Sequence, residues 1–193
     1  MTQTEHFLAL FKSSSALLDG HFRLTSGKHS NQYFQCARVL QYPKNAEVLC
    51  SAIAKHYQSA GITLVISPAI GGIVVGQEVG RLLGVRTIFA ERDNGEMKIR
   101  RGFEIFPDDN ILICEDVITT GGSVREVYDL LKNEGHQIAG VASIVDRSNG
   151  KAAFDVPYYS IIQLEVNAWE PDFCPLCKEG VPVIKPGSRV FKS

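Results

Sequence analysis

Residues Ile111–Ser123 read ILICEDVITTGGS, and this run decides the fold. Its first four residues are apolar and mostly β-branched or leucine, the pattern of a short buried strand. Glu115 and Asp116 stand at the carboxyl end of that strand. Thr119, Thr120, Gly121, Gly122 and Ser123 follow, and then Val124, Val127, Tyr128 and Leu131 recur at helical spacing. In an open parallel sheet, ligands bind outside the carboxyl ends of the strands. A Thr/Gly turn that opens a helix presents hydroxyls and unpaired N–H groups with the positive end of the helix dipole behind them, which makes a phosphate cradle. The glycines let the backbone approach without a Cβ in the way. Two carboxylates just upstream repel a phosphate, so they suit sugar hydroxyls or a metal-bound group nearby. No Gly-Lys-Ser/Thr follows, which excludes a Walker loop, and no Gly-x-Gly-x-x-Gly follows a strand. The plain alternative is a strand–turn–helix joint that happens to use acids and hydroxyls.

Working outward, the same alternation continues on both sides. TLVIS (63–67) reads as a buried strand, GGIVVGQEVGRLLG (71–84) as a helix and VRTIFAE (85–91) as a strand. Downstream, QIAGVASIVD (137–146) and YYSIIQLEV (158–166) are further strands. Upstream, Leu49, Ala52, Ile53 and Tyr57 share one face of a helix over 44–60, with Gly61 as its stop. Strands alternating with helices give an α/β class: a mainly parallel central sheet flanked by helices. Phe7, Leu10, Phe11 and Leu18 predict a helix over 3–18, ended by Gly20. HFRLTSG (21–27) and HSNQYFQC (29–36) predict a small strand pair at one edge. The polar stretch 91–110 interrupts the alternation and reads either as an excursion hairpin or as a long loop working as a lid.

Composition narrows the function classes. The chain has 193 residues, 45% hydrophobic and 21% charged, with 20 basic and 21 acidic residues for a net charge of -1. That length fits a single domain over 1–193. The balanced charge gives no footprint for nucleic acid. No apolar stretch nears the roughly 20 residues that span a bilayer, so no membrane partner is expected. The N-terminus lacks a basic leader and carries Glu5, and five cysteines accompany no export signal, so a cytoplasmic protein with reduced thiols is expected.

The run at 111–123 closely resembles the signature of the type I phosphoribosyltransferases. That resemblance implies a phosphoribosyl pyrophosphate donor, with Glu115 and Asp116 on the ribose hydroxyls and Thr119, Thr120, Gly121, Gly122 and Ser123 on the 5-phosphate. Three further segments resemble the orotate branch of that family. GHFRLTSGKHSNQYFQ (20–35) implies a hood over the base, built from about residues 1–40 and the C-terminal tail; Lys28 and His29 form its basic pair and Phe34 lines the base site. SIVDRSNG (143–150) places Arg147 to grip the orotate carboxylate, the alternative being a surface ion pair with Asp146. The stretch 91–103 is similar to a loop that closes on the partner subunit's active site. Among its cations Arg92, Lys98, Arg100 and Arg101, Lys98 and Arg92 are chosen to assist pyrophosphate departure. SPAIGG (67–72) implies pyrophosphate binding through backbone amides, at Ala69 and Gly71. The resemblance also implies substrate-bound Mg2+, held through pyrophosphate and ribose hydroxyls, and a homodimer with shared active sites. It implies transfer of phosphoribosyl to orotate in pyrimidine biosynthesis. The competing readings are a purine or uracil phosphoribosyltransferase and a donor-sensing regulator.

Cys174 and Cys177 stand as a Cys-x-x-Cys pair. One such pair supplies two of the four ligands a zinc site needs, so packed reduced thiols are expected and no residue is assigned to direct metal ligation.

Overall fold

The computed structural model describes residues 2–24, 26–165 and 167–185. Helix α1 (Gln3–Ser13) starts with a capping box, in which Thr2 Oγ1 accepts from Glu5 N and the Glu5 carboxylate accepts from Thr2 N. It ends five residues short of the predicted boundary. The Ser13 and Ser14 hydroxyls donate back to Leu10 O, and Ser15 takes a left-handed φ of 53°, which stops the helix. Leu18 and Gly20 therefore lie in a strand, β1 (Leu17–Arg23), paired antiparallel with β2 (His29–Phe34). A short α2 (Ala37–Leu40) and the longer α3 (Pro43–Tyr57) follow, the latter started by proline at its first position.

The alternating core then runs β3 (Leu64–Pro68), α4 (Gly71–Leu83), β4 (Arg86–Asp93), β5 (Glu96–Ile99), β6 (Asn110–Ile118), α5 (Gly122–Asn133), β7 (Gln137–Asp146) and β8 (Tyr158–Gln163). The sheet order is β5-β4-β3-β6-β7-β8, parallel throughout except for the antiparallel edge strand β5. The polar excursion begins as a hairpin. Asn94 and Gly95 both have positive φ (53° and 89°), the requirement of a two-residue turn matched to strand twist. The stretch after it is tied down by Asp109, whose carboxylate accepts from Arg86, from the Thr63 hydroxyl and from Phe106 N.

Strand residues alternate between two cores. Val65, Leu112 and Cys114 face α3 and α4, while Leu64, Ile66, Ile111 and Ile113 face Val124, Val127 and Leu131 of α5. Burial on both faces explains why these strands read as unbroken apolar runs. Each buried aliphatic side chain contributes about 1.5–3 kcal/mol. Because α4 covers one face and α5 the other, the chain leaves the centre in opposite directions from β3 and β6. Their carboxyl ends mark the switch point of the sheet, the place where such sheets bind ligands.

A second sheet, β1-β2-β9, joins the two ends of the chain, with β9 (Ala168–Trp169) pairing against β2. A 3-10 turn at Pro171–Phe173 and the short α6 (Pro175–Lys178) follow, and Ile184 bridges Phe22 of β1. The last residue of the predicted strand 158–166 and the tail from residue 186 lie outside the described residues.

Candidate active site

The pairing of β3 with β6 brings two sequence-distant segments together at the switch point. A Cβ at Gly71 would sit 2.7 Å from both Asp116 carboxylate oxygens, and one at Gly72 would sit 2.8 Å from Glu115 Oε1. The Ser67–Gly72 loop thus lies directly against the acidic pair, with room there for glycine alone. The acids are held locally: Glu115 Oε1 accepts from Asp116 N at 3.0 Å, and Asp116 Oδ1 accepts from Val117 N at 2.8 Å. Glu115 is buried and Asp116 half-buried.

Burial, and then the adjacent Asp116 charge, push the Glu115 carboxyl well above the usual carboxylate range. The folded chain therefore keeps a proton that the unfolded chain releases above about pH 4.5. The stability this contributes is complete below the unfolded value and is lost as pH rises toward the folded one. Relative to Glu115→Gln, wild type is expected to lose stability between about pH 5.5 and 8, at up to about 1.4 kcal/mol per pH unit. Urea titrations of both proteins across that window check this, and parallel profiles would refute it.

Thr119–Ser123 wraps a small polar cavity of about 70 Å³, roughly two water volumes and sized for one tetrahedral anion. Gly121 caps α5 at φ 78°, a conformation that favours glycine, and its carbonyl accepts the first helical bond from Arg125 N. The first turn of α5 lines this space, and the first N–H groups of a helix have no partner within the helix.

A larger cavity of about 660 Å³ adjoins it, sharing Thr119 and Thr120. Arg23, Tyr33 and Phe34 of the hood line one side, Arg147 the sheet side, and Ala168 and Lys185 the C-terminal side. Arg147 N donates to Ile118 O at 2.7 Å, which locks the end of β7 to β6. Its side-chain Nε is buried without a partner, and burial holds the guanidinium below its ordinary value. A half-buried guanidinium with one unpartnered nitrogen, lining a cavity, is a place for an anion. The ion pair with Asp146 does not form; that carboxylate accepts from Ser148 N at 2.7 Å.

Two groups of predicted residues lie elsewhere. Lys28 pairs with Glu170 at 3.0 Å, and the His29 ring is buried against His21 and Cys177. Neither lines the cavities; within the hairpin, Arg23, the register partner of His29, is the cation that does. Arg92 pairs with Glu126, Lys98 with Glu96 and Asp93, Arg100 with Asp93 and Glu91, and Arg101 with Glu91. These four cations stand on or just after the hairpin, outside both cavities. Arg23, Tyr33 and Lys185 are cavity residues that sequence reading missed. Tyr33 beside Phe34 carried a faint signal as an aromatic pair, whereas Lys185 arrives through the C-terminal segment and carried none.

Comparison with known proteins agrees with this architecture. The phosphoribosyl transferase domain model matches residues 37–176. The chain is 62% identical over 98% of its length to the orotate phosphoribosyltransferase of Chlorobaculum parvum, covering 97% of that protein. It is 51% identical over 96% of its length to that of Desulforamulus reducens, again covering 97%. The fold is shared with the Mycobacterium tuberculosis orotate phosphoribosyltransferase structure, at a TM-score of 0.70 and 18% identity, over 84% of this chain and 97% of that one. With a family model over residues 37–176, a sheet of this order and relatives of such identity along nearly the whole chain, this protein belongs to the phosphoribosyltransferases and, within them, to the orotate phosphoribosyltransferase family.

Proposed function

We propose that this chain transfers 5-phosphoribosyl from phosphoribosyl pyrophosphate to orotate, giving orotidine 5′-monophosphate and pyrophosphate. The observation that carries the choice of base is Arg147, which lines the cavity beside the cradle and whose Nε is buried without a hydrogen-bond partner. Orotate has a carboxylate that uracil and the purines lack, and a guanidinium matches it in two-pronged geometry.

In this reading the Thr119–Ser123 amides and hydroxyls hold the 5-phosphate, and Glu115 and Asp116 accept from the ribose hydroxyls. The Ser67–Gly72 loop, packed on the acids, offers Ala69 and Gly71 backbone to the pyrophosphate. Phe34 and Tyr33 wall the base. The half-buried Asp116 carboxylate offers hard oxygen and negative charge next to a magnesium ion carried by the donor's own oxygens. When bound, that ion neutralises charge on the departing pyrophosphate. The residues' own task is to orient donor and base for displacement at the anomeric carbon and to keep water out. Lys98 and Arg92 are held by exposed ion pairs worth about 0.2–1 kcal/mol each, weak enough for a polyanion to displace. We assign them to the leaving group, on the partner subunit of a homodimer. Among the described residues no helix is long and apolar enough to cross a membrane, and we place the enzyme in the cytoplasm.

The test is an absorbance assay of base consumption with the donor and magnesium. Orotate is expected to be consumed, with uracil, adenine and hypoxanthine left untouched. Turnover of any of these three at a rate comparable to orotate would overturn the assignment of base.

A further inference from the structure

His21 of β1, His29 of β2, and Cys174 and Cys177 around α6 converge, with one ligand atom from each lying within 4.8 Å of all the others. His21 Nε2 is 3.0 Å from His29 Nδ1, 3.4 Å from Cys174 Sγ and 3.7 Å from Cys177 Sγ, and His29 Nδ1 is 3.2 Å from Cys177 Sγ. Zinc binds nitrogen at about 2.0–2.1 Å and sulfur at about 2.3 Å, so the edges of a tetrahedron around it run about 3.3–3.8 Å. The observed separations sit at that scale. The tautomer agrees. His21 Nδ1 lies 2.7 Å from the Val181 carbonyl, which can only accept, so Nδ1 carries the proton and Nε2 turns a lone pair inward. One lone pair cannot satisfy three neighbours by hydrogen bonding, whereas a cation at the centre satisfies all four ligands. A protein carbonyl fixing the far nitrogen of a ligating histidine is the usual outer support of such sites.

We infer that His21, His29, Cys174 and Cys177 form a closed, structural zinc site that staples the C-terminal segment to the hood. Two sulfurs and two nitrogens suit zinc, and four protein ligands leave no open position for catalysis. The thiols are thus not a pair packed among apolar side chains, and His29 is engaged away from pyrophosphate.

The segment needs such a tie. Among residues 171–185, Cys174 is the one buried side chain, while Phe173, Val181, Val183 and Ile184 are exposed. Apolar burial therefore contributes little to holding it, and a metal cross-link between positions 148 residues apart supplies what the core does not. Beyond α6 the chain runs along β1, where Ile184 N donates to His21 O and Arg23 N donates to Ile184 O. That path delivers Lys185 to the cavity holding Arg147. Stapling fixes one wall of that cavity, a consequence that rests on its reading as the orotate site; zinc content does not depend on it.

The test uses the full chain purified without chelators from zinc-supplemented cells. Elemental analysis is expected to find about one zinc per chain and none in the Cys174→Ser/Cys177→Ser double variant. Cobalt(II) added to the reduced, metal-stripped protein is expected to give the intense visible bands of a tetrahedral thiolate site. Removing zinc is expected to raise the orotate KM several-fold with kcat retained, and restoring zinc to reverse this. Wild type without stoichiometric zinc or cobalt bands, zinc retained in the double variant, or a Cys174–Cys177 disulfide by mass would each overturn the site. Should the double variant fail to fold, alkylation of wild type decides: zinc must shield these two thiols, and equal labelling with and without zinc refutes the site. Zinc lost with the orotate KM unmoved would overturn the stapling role.

Discussion

Asp116→Ala is expected to lower kcat by about three orders of magnitude while the protein stays folded, a loss of about 4 kcal/mol in the transition state. Asp116 stands at the switch point, touching the loop assigned to pyrophosphate and next to the acid assigned to the same diol. Its charge acts where positive charge develops on the sugar, so its removal should appear chiefly in kcat. Stability should not suffer. Asp116 is half-exposed, and its charge is one of the causes that push the neighbouring carboxyl of Glu115 up. Deleting it removes a half-exposed charge beside a Glu115 that the folded chain already holds protonated, and the melting temperature is expected to hold. Steady-state kinetics alongside thermal unfolding separate the two effects. Wild-type kcat in a folded Asp116→Ala protein would remove this residue from the chemistry.

For Arg147→Ala the expected result is an orotate KM raised about 100-fold, with the KM for phosphoribosyl pyrophosphate little changed. Losing a buried charged partner costs about 2–5 kcal/mol, and each 1.4 kcal/mol is tenfold. The split between substrates follows from geometry. Arg147 lines the larger cavity, and the cradle of Thr119–Ser123 surrounds a separate, smaller one. The free variant should lose little stability, because the side chain gives up an unpartnered buried donor rather than a satisfied one. A truncated side chain with an unchanged orotate KM would show that the base carboxylate is bound elsewhere. Arg147→Lys should recover only part of the loss, since an ammonium lacks the planar fork.

The boundaries that sequence reading misplaced have local causes that were visible but ambiguous. Ser13, Ser14 and Ser15 could have continued the helix; what ended it was hydroxyl back-bonding at Ser13 and Ser14 and a left-handed Ser15. At Asn94-Gly95 the hairpin and the lid were both open readings. The two positive φ angles decide for the hairpin at 86–99, with its cations paired to nearby carboxylates on this chain.

From the sequence by itself, the alternating strands and helices, the two-sided burial of the sheet and the helix-opening turn at Thr119–Ser123 were determined. Each is written in contiguous residues, where a period of 2 or 3.6 or a helix-opening turn settles the backbone with no help from distant parts of the chain. Tertiary structure alone decided that Gly71 presses on Asp116, that Arg23 and Lys185 rather than Lys28 and His29 reach the cavity, and that two histidines meet two cysteines near the opposite end. Those meetings depend on which strand lies beside which and on the side to which each pleat turns. Such relations join residues tens of positions apart or, for the histidines and cysteines, about one hundred and fifty, and no local pattern encodes them.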